Sequence, residues 1–445
     1  MPETTPMRSL TSSPPSAGTV QPGRHWGRVL AAPALLSSLL LAACSGTPAV
    51  SPLAGARLNL QAQATTSGYA KIIRVKIGAA DTQASLAAAY PGSQLLTFHP
   101  EELYATLAVN TYKTSAAVLS EEANMRLKLG EANAQGITAW SGGATAWSGG
   151  FTVWTGTGAG QANSFPDNQA VWSVIQLSGG QTRAPSLGRG VTVAVIDTGI
   201  DVNHPAFAGR LNLSRARDYV DGDTSPAEVN GSATGASAGY GHGTAVAGII
   251  TQIAPNATIL PLRVLGPDGS GDLASVIQAI DYAAGAGARV INLSLGSAAA
   301  SKALTAAVAT AGKAEALVMA SVGNSGDANV THPAATASSF NAEMSVASVT
   351  TLKTRSAFSA FGAVEISAPG EQIRTAFPEA RTVLATGTSF ATPILAGVAA
   401  LGLSATTKAA SGLPGLIMNS ASPNLSADLG TGTVNADAFL ALAAK

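Results

Sequence analysis

Three hydrophobic rhythms divide this chain. In the C-terminal part, Val191-Thr192-Val193-Ala194-Val195-Ile196 is an uncharged, β-branched run, the pattern of a strand buried on both faces of a parallel sheet. Apolar strands and Ala-rich helical stretches then alternate. Residues 257–262 predict a strand, 275–285 a helix and 289–291 another strand, the order of a parallel sheet with crossover helices on both faces, an α/β class. The middle of the chain follows a different pattern. Residues 70–77 alternate as a strand, 81–90 read as a helix, 93–98 and 103–109 as strands, and 115–129 as an amphipathic helix. Near the N-terminus, Arg24, His25 and Arg28 precede the apolar run 29–43. That run is too short for a comfortable membrane span and predicts the core of a signal peptide.

Composition narrows the classes. The chain has 445 residues, of which 46% are hydrophobic and 11% charged, with a formal net charge of +0. It exceeds one typical domain, and the absence of a basic field argues against a nucleic-acid partner. Cys44 is the only cysteine, which excludes a disulfide within the chain. Between the two patterned regions Thr138-Ala139-Trp140-Ser141-Gly142-Gly143 recurs as Thr145-Ala146-Trp147-Ser148-Gly149-Gly150 and Thr152-Val153-Trp154-Thr155-Gly156. Glycine at this density opposes a coiled coil and predicts an extended linker; docking of the tryptophans on a protein surface or a glycan is the alternative.

The candidate chemistry lies in the C-terminal part. Ser389, in Gly387-Thr388-Ser389-Phe390-Ala391-Thr392-Pro393, stands between a small-residue turn and the apolar stretch 394–403, which predicts a hydroxyl at the start of a buried helix. Free N–H groups there can steady an oxyanion. Asp197 ends the run 191–196, at the strand end where open α/β sheets place their crevice. His242, in Gly241-His242-Gly243-Thr244, leads into the small-residue stretch 245–250 and so predicts a second helix start. An imidazole can take a serine proton near neutral pH, and a carboxylate can orient that imidazole. A rival is Gly235-Ala236-Ser237-Ala238-Gly239, a Gly-x-Ser-x-Gly match of esterase type. It lies in a polar Gly/Ser/Ala loop and lacks the buried strand that motif needs.

With the order Asp197, His242, Ser389 the chain resembles the subtilisin-like serine peptidases. Val193-Ala194-Val195-Ile196-Asp197-Thr198-Gly199-Ile200-Asp201, followed by Asn203-His204-Pro205, is similar to the aspartate motif of that family. Gly241-His242-Gly243-Thr244 and residues 387–393 resemble its histidine and serine motifs, and the likeness runs from about residue 167 to the C-terminus. Asn292-Leu293-Ser294-Leu295-Gly296 and Ser321-Val322-Gly323-Asn324 are similar to its substrate-strand and oxyanion segments.

The resemblance implies an endopeptidase of broad specificity, acting on proteins and peptides. Asn324 would be an oxyanion donor, and a substrate strand would lie beside Gly269-Ser270-Gly271 and Ser294-Leu295-Gly296. The uncharged specificity pocket would be walled by Leu295, Gly296, Ser321, Val322 and Gly323. Residues 69–130 resemble the ferredoxin-like α+β propeptide of the family, which would make the chain's own segment an inhibitor of its enzyme. Leu41-Ala42-Ala43-Cys44 resembles a bacterial lipoprotein box, which would place lipid on Cys44 and anchor the precursor to a membrane.

Two positions depart from the family pattern. Ala245 stands where a second histidine is usual, and Ala206 where an acidic residue often ligates calcium. No cofactor is expected. A structural calcium ion would need another site, for which the acidic stretch Asp218, Asp221, Asp223 and Glu228 is the alternative to a plain acidic loop. The expected organisation is a lipoprotein signal peptide at 1–43, a linker at 44–68, the inhibitor-like domain at 69–130, a Gly/Trp linker at 131–164 and the catalytic domain at 165–445.

Overall fold

A computed structural model of the chain describes residues 68–129, 165–231, 238–339 and 342–444. The expectations for the signal peptide, Cys44, the Trp repeat and Ser237 lie outside these residues.

The small region consists of β1 (Lys71–Lys76), α1 (Gln83–Ala89), β2 (Gln94–His99), β3 (Tyr104–Val109), β4 (Val118–Ala123) and β5 (Arg126–Lys128). Strands β1 to β4 form an antiparallel sheet in the order β2-β3-β1-β4. The predicted strands and first helix are present. The amphipathic helix expected at 115–129 is not: that stretch is β4 and β5. Its Ala, Leu, Glu and Met content favours a helix locally, but β4 satisfies its backbone along the edge of β1, and β5 pairs elsewhere. Long-range pairing outweighs propensities worth tenths of a kcal/mol per residue.

The main region is built on a seven-stranded parallel sheet. In chain order its elements are α2 (Gln169–Val174), α3 (Leu177–Arg183), β6 (Thr192–Asp197), β7 (Arg217–Asp218), α4 (His242–Ile253), β8 (Thr258–Arg263), β9 (Ser270–Asp272), α5 (Leu273–Gly285) and β10 (Val290–Leu293). There follow α6 (Lys302–Lys313), β11 (Leu317–Ser321), β12 (Glu343–Val349), β13 (Ile366–Pro369), β14 (Ile373–Phe377), β15 (Arg381–Ala385), α7 (Thr388–Ala405), α8 (Leu413–Asn419) and α9 (Ala436–Ala443). The sheet order is β13-β12-β11-β10-β6-β8-β7, and β14 and β15 form a separate hairpin.

Burial on both faces follows from the alternation of β6. Val193 and Val195 join one apolar cluster with α4 and α7, while Ala194 and Ile196 join another with α5 and α6. Helix α7 is apolar all round and long enough to cross a membrane, yet 83% of it is buried, as a central core helix should be. After β6 the chain adds β8 on one side, then crosses to add β10 on the other. Strand order thus reverses around β6, and the crevice of such a sheet opens beyond the strand ends at that reversal.

The small sheet uses its two faces differently. Ile73, Val75, Leu107 and Val109 pack with Leu86 and Tyr90 in a core of their own. Ile72, Leu96 and Ala108, on the opposite face, belong to the cluster built on α5 and α6.

Candidate active site

Asp197 is the last residue of β6 and is fully buried. Its Oδ1 lies 2.7 Å from His242 Nδ1 and accepts the Thr198 backbone N–H at 2.7 Å. His242 opens α4 and is also buried. Two glycines allow this approach: a Cβ on Gly241 would strike the Phe377 ring, and one on Gly243 would strike the Gly199 carbonyl. The Phe390 ring, next to Ser389, lies 5.2 Å from the His242 ring.

Ser389 occupies the first turn of α7, where backbone N–H groups have no helical acceptor. Pro393, four residues further on, has no N–H to give the Ser389 carbonyl. Ser294 supplies the missing donor: its Oγ donates to Ser389 O at 2.7 Å and is itself bound by Asn292 Nδ2 at 2.9 Å. In return the Ser389 hydroxyl donates to Ser294 O at 3.1 Å. The proline in the serine motif and the serine after β10 are therefore one device that fixes the start of α7.

Asn324 is oriented by Thr388. The Thr388 backbone N–H and hydroxyl both donate to Asn324 Oδ1 at 2.9 Å. A backbone N–H can only donate, so this bond identifies the oxygen and assigns Nδ2 as the atom near Gly387. The Asn324 amide thus lies against Gly387, the residue that precedes α7.

The expected substrate segments lie in or next to strands. Gly269 precedes β9 and Gly271 lies within it, Ser294 follows β10, and Ser321 ends β11. Leu295 and Val322 are buried in the core cluster, so their backbones rather than their side-chain ends border the crevice. Thr331, which the sequence reading missed, lies against both Gly296 and Gly323. A Cβ on Gly296 would meet its Oγ1 at 2.6 Å and one on Gly323 its Cγ2 at 2.8 Å, while its hydroxyl donates to Ser321 O at 3.0 Å.

The edge of β9 already carries a strand. β5 pairs with it antiparallel, Leu127 opposite Gly271 and Lys128 opposite Ser270, and Leu129 N donates to Gly269 O at 2.9 Å. Leu127 is wholly buried in the cluster that includes Leu265, Leu273 and Leu295. Arg126 binds Ser270 Oγ at 2.8 Å and Asp268 at 2.9 Å.

The acidic stretch separates into different roles. Asp218 and Asp221 both bind the Arg263 guanidinium, Asp223 accepts the Ser225 N–H at 2.7 Å, and Glu228 turns to α4. Among the described residues, no three His, Cys, Asp or Glu side chains gather as a metal-binding group. His204 is a structural residue, bonded at 3.0 Å to Arg381 O and at 3.1 Å to Ala206 N.

A buried carboxylate–imidazole pair and a serine in the first turn of α7 are the side chains that a serine-type hydrolase employs. The sequence pattern of the subtilase family matches residues 188–436. The chain is 38% identical over 273 residues to thermitase of Thermoactinomyces vulgaris, covering 58% of this chain and 92% of that one. It is also 38% identical over 224 residues to an alkaline protease of Alkalihalobacillus alcalophilus, covering 48% of this chain and 54% of the relative. A crystal structure of a cold-adapted subtilisin-like serine proteinase covers 56% of this chain and 88% of its own at 38% identity, with a TM-score of 0.48. The chain belongs to the subtilase family of serine peptidases.

Proposed function

We propose that the protein is a broad-specificity endopeptidase in which Ser389 is the nucleophile, His242 the base and Asp197 the residue that orients it. The observation carrying this reading is the 2.7 Å bond between Asp197 and His242 Nδ1, with Ser389 in the adjoining first turn of α7. With Nδ1–H given to Asp197, the basic lone pair is on Nε2. Ser389 Oγ, once turned from Ser294 O, attacks the scissile carbonyl carbon and yields its proton to Nε2. The resulting oxyanion is held by Asn324 Nδ2 and the Ser389 N–H. As the C–N bond breaks, His242 returns the proton to the leaving amine. A water molecule, deprotonated by His242, then hydrolyses the acyl-enzyme. These steps use only side chains, backbone and water, with no cofactor. Thr331, between Gly296 and Gly323, floors an uncharged pocket that suits small or medium apolar residues.

The segment ending at Leu129 serves as the first substrate analogue. It adds an antiparallel strand to Gly269-Ser270-Gly271 by main-chain bonds, the mode expected for an extended peptide substrate. The region 69–129 is accordingly a self-inhibiting propeptide, and maturation follows cleavage shortly beyond Leu129. The apolar run 29–43 would export the precursor and Cys44 would hold it at the membrane through lipid, so that cleavage frees the catalytic domain.

Ser389→Ala tests this reading. The variant should hydrolyse no peptide, take no label from a serine-directed phosphonate and remain at precursor length. The loss should be about 10⁶-fold in turnover, a magnitude measured in subtilisin itself. Retained hydrolysis or labelling would overturn the assignment. N-terminal sequencing of the active wild-type protein locates the cleavage.

A further inference from the structure

Glu228 lies in the loop before α4, outside every motif that carries the family resemblance. Its backbone is fixed beside the aspartate turn: Glu228 N donates to Ile200 O at 3.2 Å and Ile200 N to Pro226 O at 2.8 Å. Its carboxylate accepts four bonds. Oε2 takes the Gly241 N–H at 3.0 Å, and Oε1 takes the Thr244 N–H at 3.0 Å and the hydroxyls of Thr198 and Thr244 at 3.2 Å each. Thr198 follows Asp197 directly, while Gly241 and Thr244 flank His242. One side chain therefore bridges the two segments that carry the acid and the base.

The bridge answers a local need. The N-cap of α4 is Gly241, which has no side chain to cap the helix, and a larger residue is excluded by Phe377. The orphan N–H groups of the first turn require an acceptor from elsewhere, and a negative charge at that end also suits the helix dipole. The hydroxyls are polarised toward the same group. Thr198 Oγ1 accepts the Gly243 N–H at 2.9 Å and Thr244 Oγ1 accepts the Asp201 N–H at 2.8 Å, so each points its single proton at Glu228. All four partners donate, an arrangement made for a carboxylate rather than a carboxylic acid.

We propose that Glu228 is a positioning residue of this peptidase, whose ionised carboxylate holds the Asp197 turn and the His242 helix in register for proton transfer. The proposal rests on the triad assigned above. Burial pushes the Glu228 carboxyl up to about 7; the Gly241 and Thr244 amides oppose the shift and the nearby Asp197 charge adds to it. Other titratable or charged groups facing this hollow are Asp201, Tyr240 and Glu379, the last paired with Arg381 in the β14–β15 turn. Because the folded carboxyl titrates above its usual value, the clamp is formed above about pH 7 and is lost as pH falls through it. This loss adds to protonation of the base on the acid side.

The test compares the matured enzyme with Glu228→Gln, with turnover expressed per phosphonate-labelled site so that unfolded protein is not counted. We expect kcat to fall about tenfold with KM unchanged. The acid limb of log kcat/KM against pH should flatten from a slope near two to one near one, as expected when one of two ionisations is removed. A parent-like kcat and slope per labelled site, with only the melting temperature lowered, would reduce Glu228 to a structural residue and overturn the proposal. If Glu228→Gln does not fold, Thr198→Val decides. Loss of one donor should move the acid limb to higher pH, and an unmoved limb overturns the proposal. Failure of phosphonate labelling in the parent would instead indict the Ser389 assignment.

Discussion

The two sheets of this protein are stabilised by opposite means. The seven-stranded sheet is sealed on both faces by its own helices, and the residues of its crevice are held by bonds among β6, β10, α4 and α7. The small sheet has one short core of its own and places its other face on α5 and α6. Two of its polar anchors go to helix starts. Glu122 accepts Ser301 Oγ and the N–H groups of Lys302 and Ala303, each at 2.9 Å, at the start of α6. Asn124 Oδ1 accepts Ala274 N at 2.9 Å at the start of α5. An element that buries one face on neighbouring helices and sends charged contacts to them fits the propeptide role proposed above, whereas the large sheet is covered by helices of its own region.

If this contrast is right, substitutions on the two sides should separate. Asn324→Ala should lower kcat of the matured enzyme by about 10²–10³, the cost of this donor in subtilisin itself, with little change in KM. Peptide kinetics on enzyme matured in trans checks this, and a kcat within a factor of two of the parent would remove Asn324 from the oxyanion site. Glu122→Ala should do the reverse. Hydrogen bonds to a charged group contribute about 1.5–3 kcal/mol, so the propeptide should bind about tenfold or more weakly. The lag before peptidase activity appears in the full-length precursor should shorten, while kcat of the matured enzyme stays the same. An unchanged lag would show that the contacts at α6 do not set latency.

The same contrast explains what could be read from the sequence. Asp197 was legible because an uncharged β-branched run ends in it, and Ser389 because a small-residue turn precedes an apolar helix. Both signals are local. The expectation for 115–129 fails because its strands exist only through partners far away in the chain, β1 for one and β9 for the other; the alternation of half-buried and exposed positions along Val118–Ala123 arises only in the folded sheet. Thr331 and Glu228 carried no local signal. Glu228 looked like part of a solvated acidic loop, and only the closure of that loop on to α4 gives its carboxylate four donors. Ser294 was placed near the substrate by resemblance, yet its link to the Ser389 carbonyl follows from Pro393, four residues further along α7.

The smallest expected effect concerns pH. His99, at the end of β2, lies 2.9 Å from Asp281 of α5 and 3.3 Å from Glu101, with the Tyr104 ring 5.0 Å away. Burial lowers the affinity of this imidazole for its proton, but the carboxylates of Asp281 and Glu101 outweigh it and hold the pKa above the ordinary value of 6.5. A raised value means that the small region binds this proton more tightly when docked on α5 than when apart from it. The extra stability of docking is therefore complete below the ordinary histidine value and is lost as pH rises through the raised one. The precursor lag should shorten several-fold between pH 6 and 8. His99→Asn should flatten that dependence without altering kcat of the matured enzyme. A lag that shortens equally in parent and variant would move the pH response away from the face that the small sheet shares with α5.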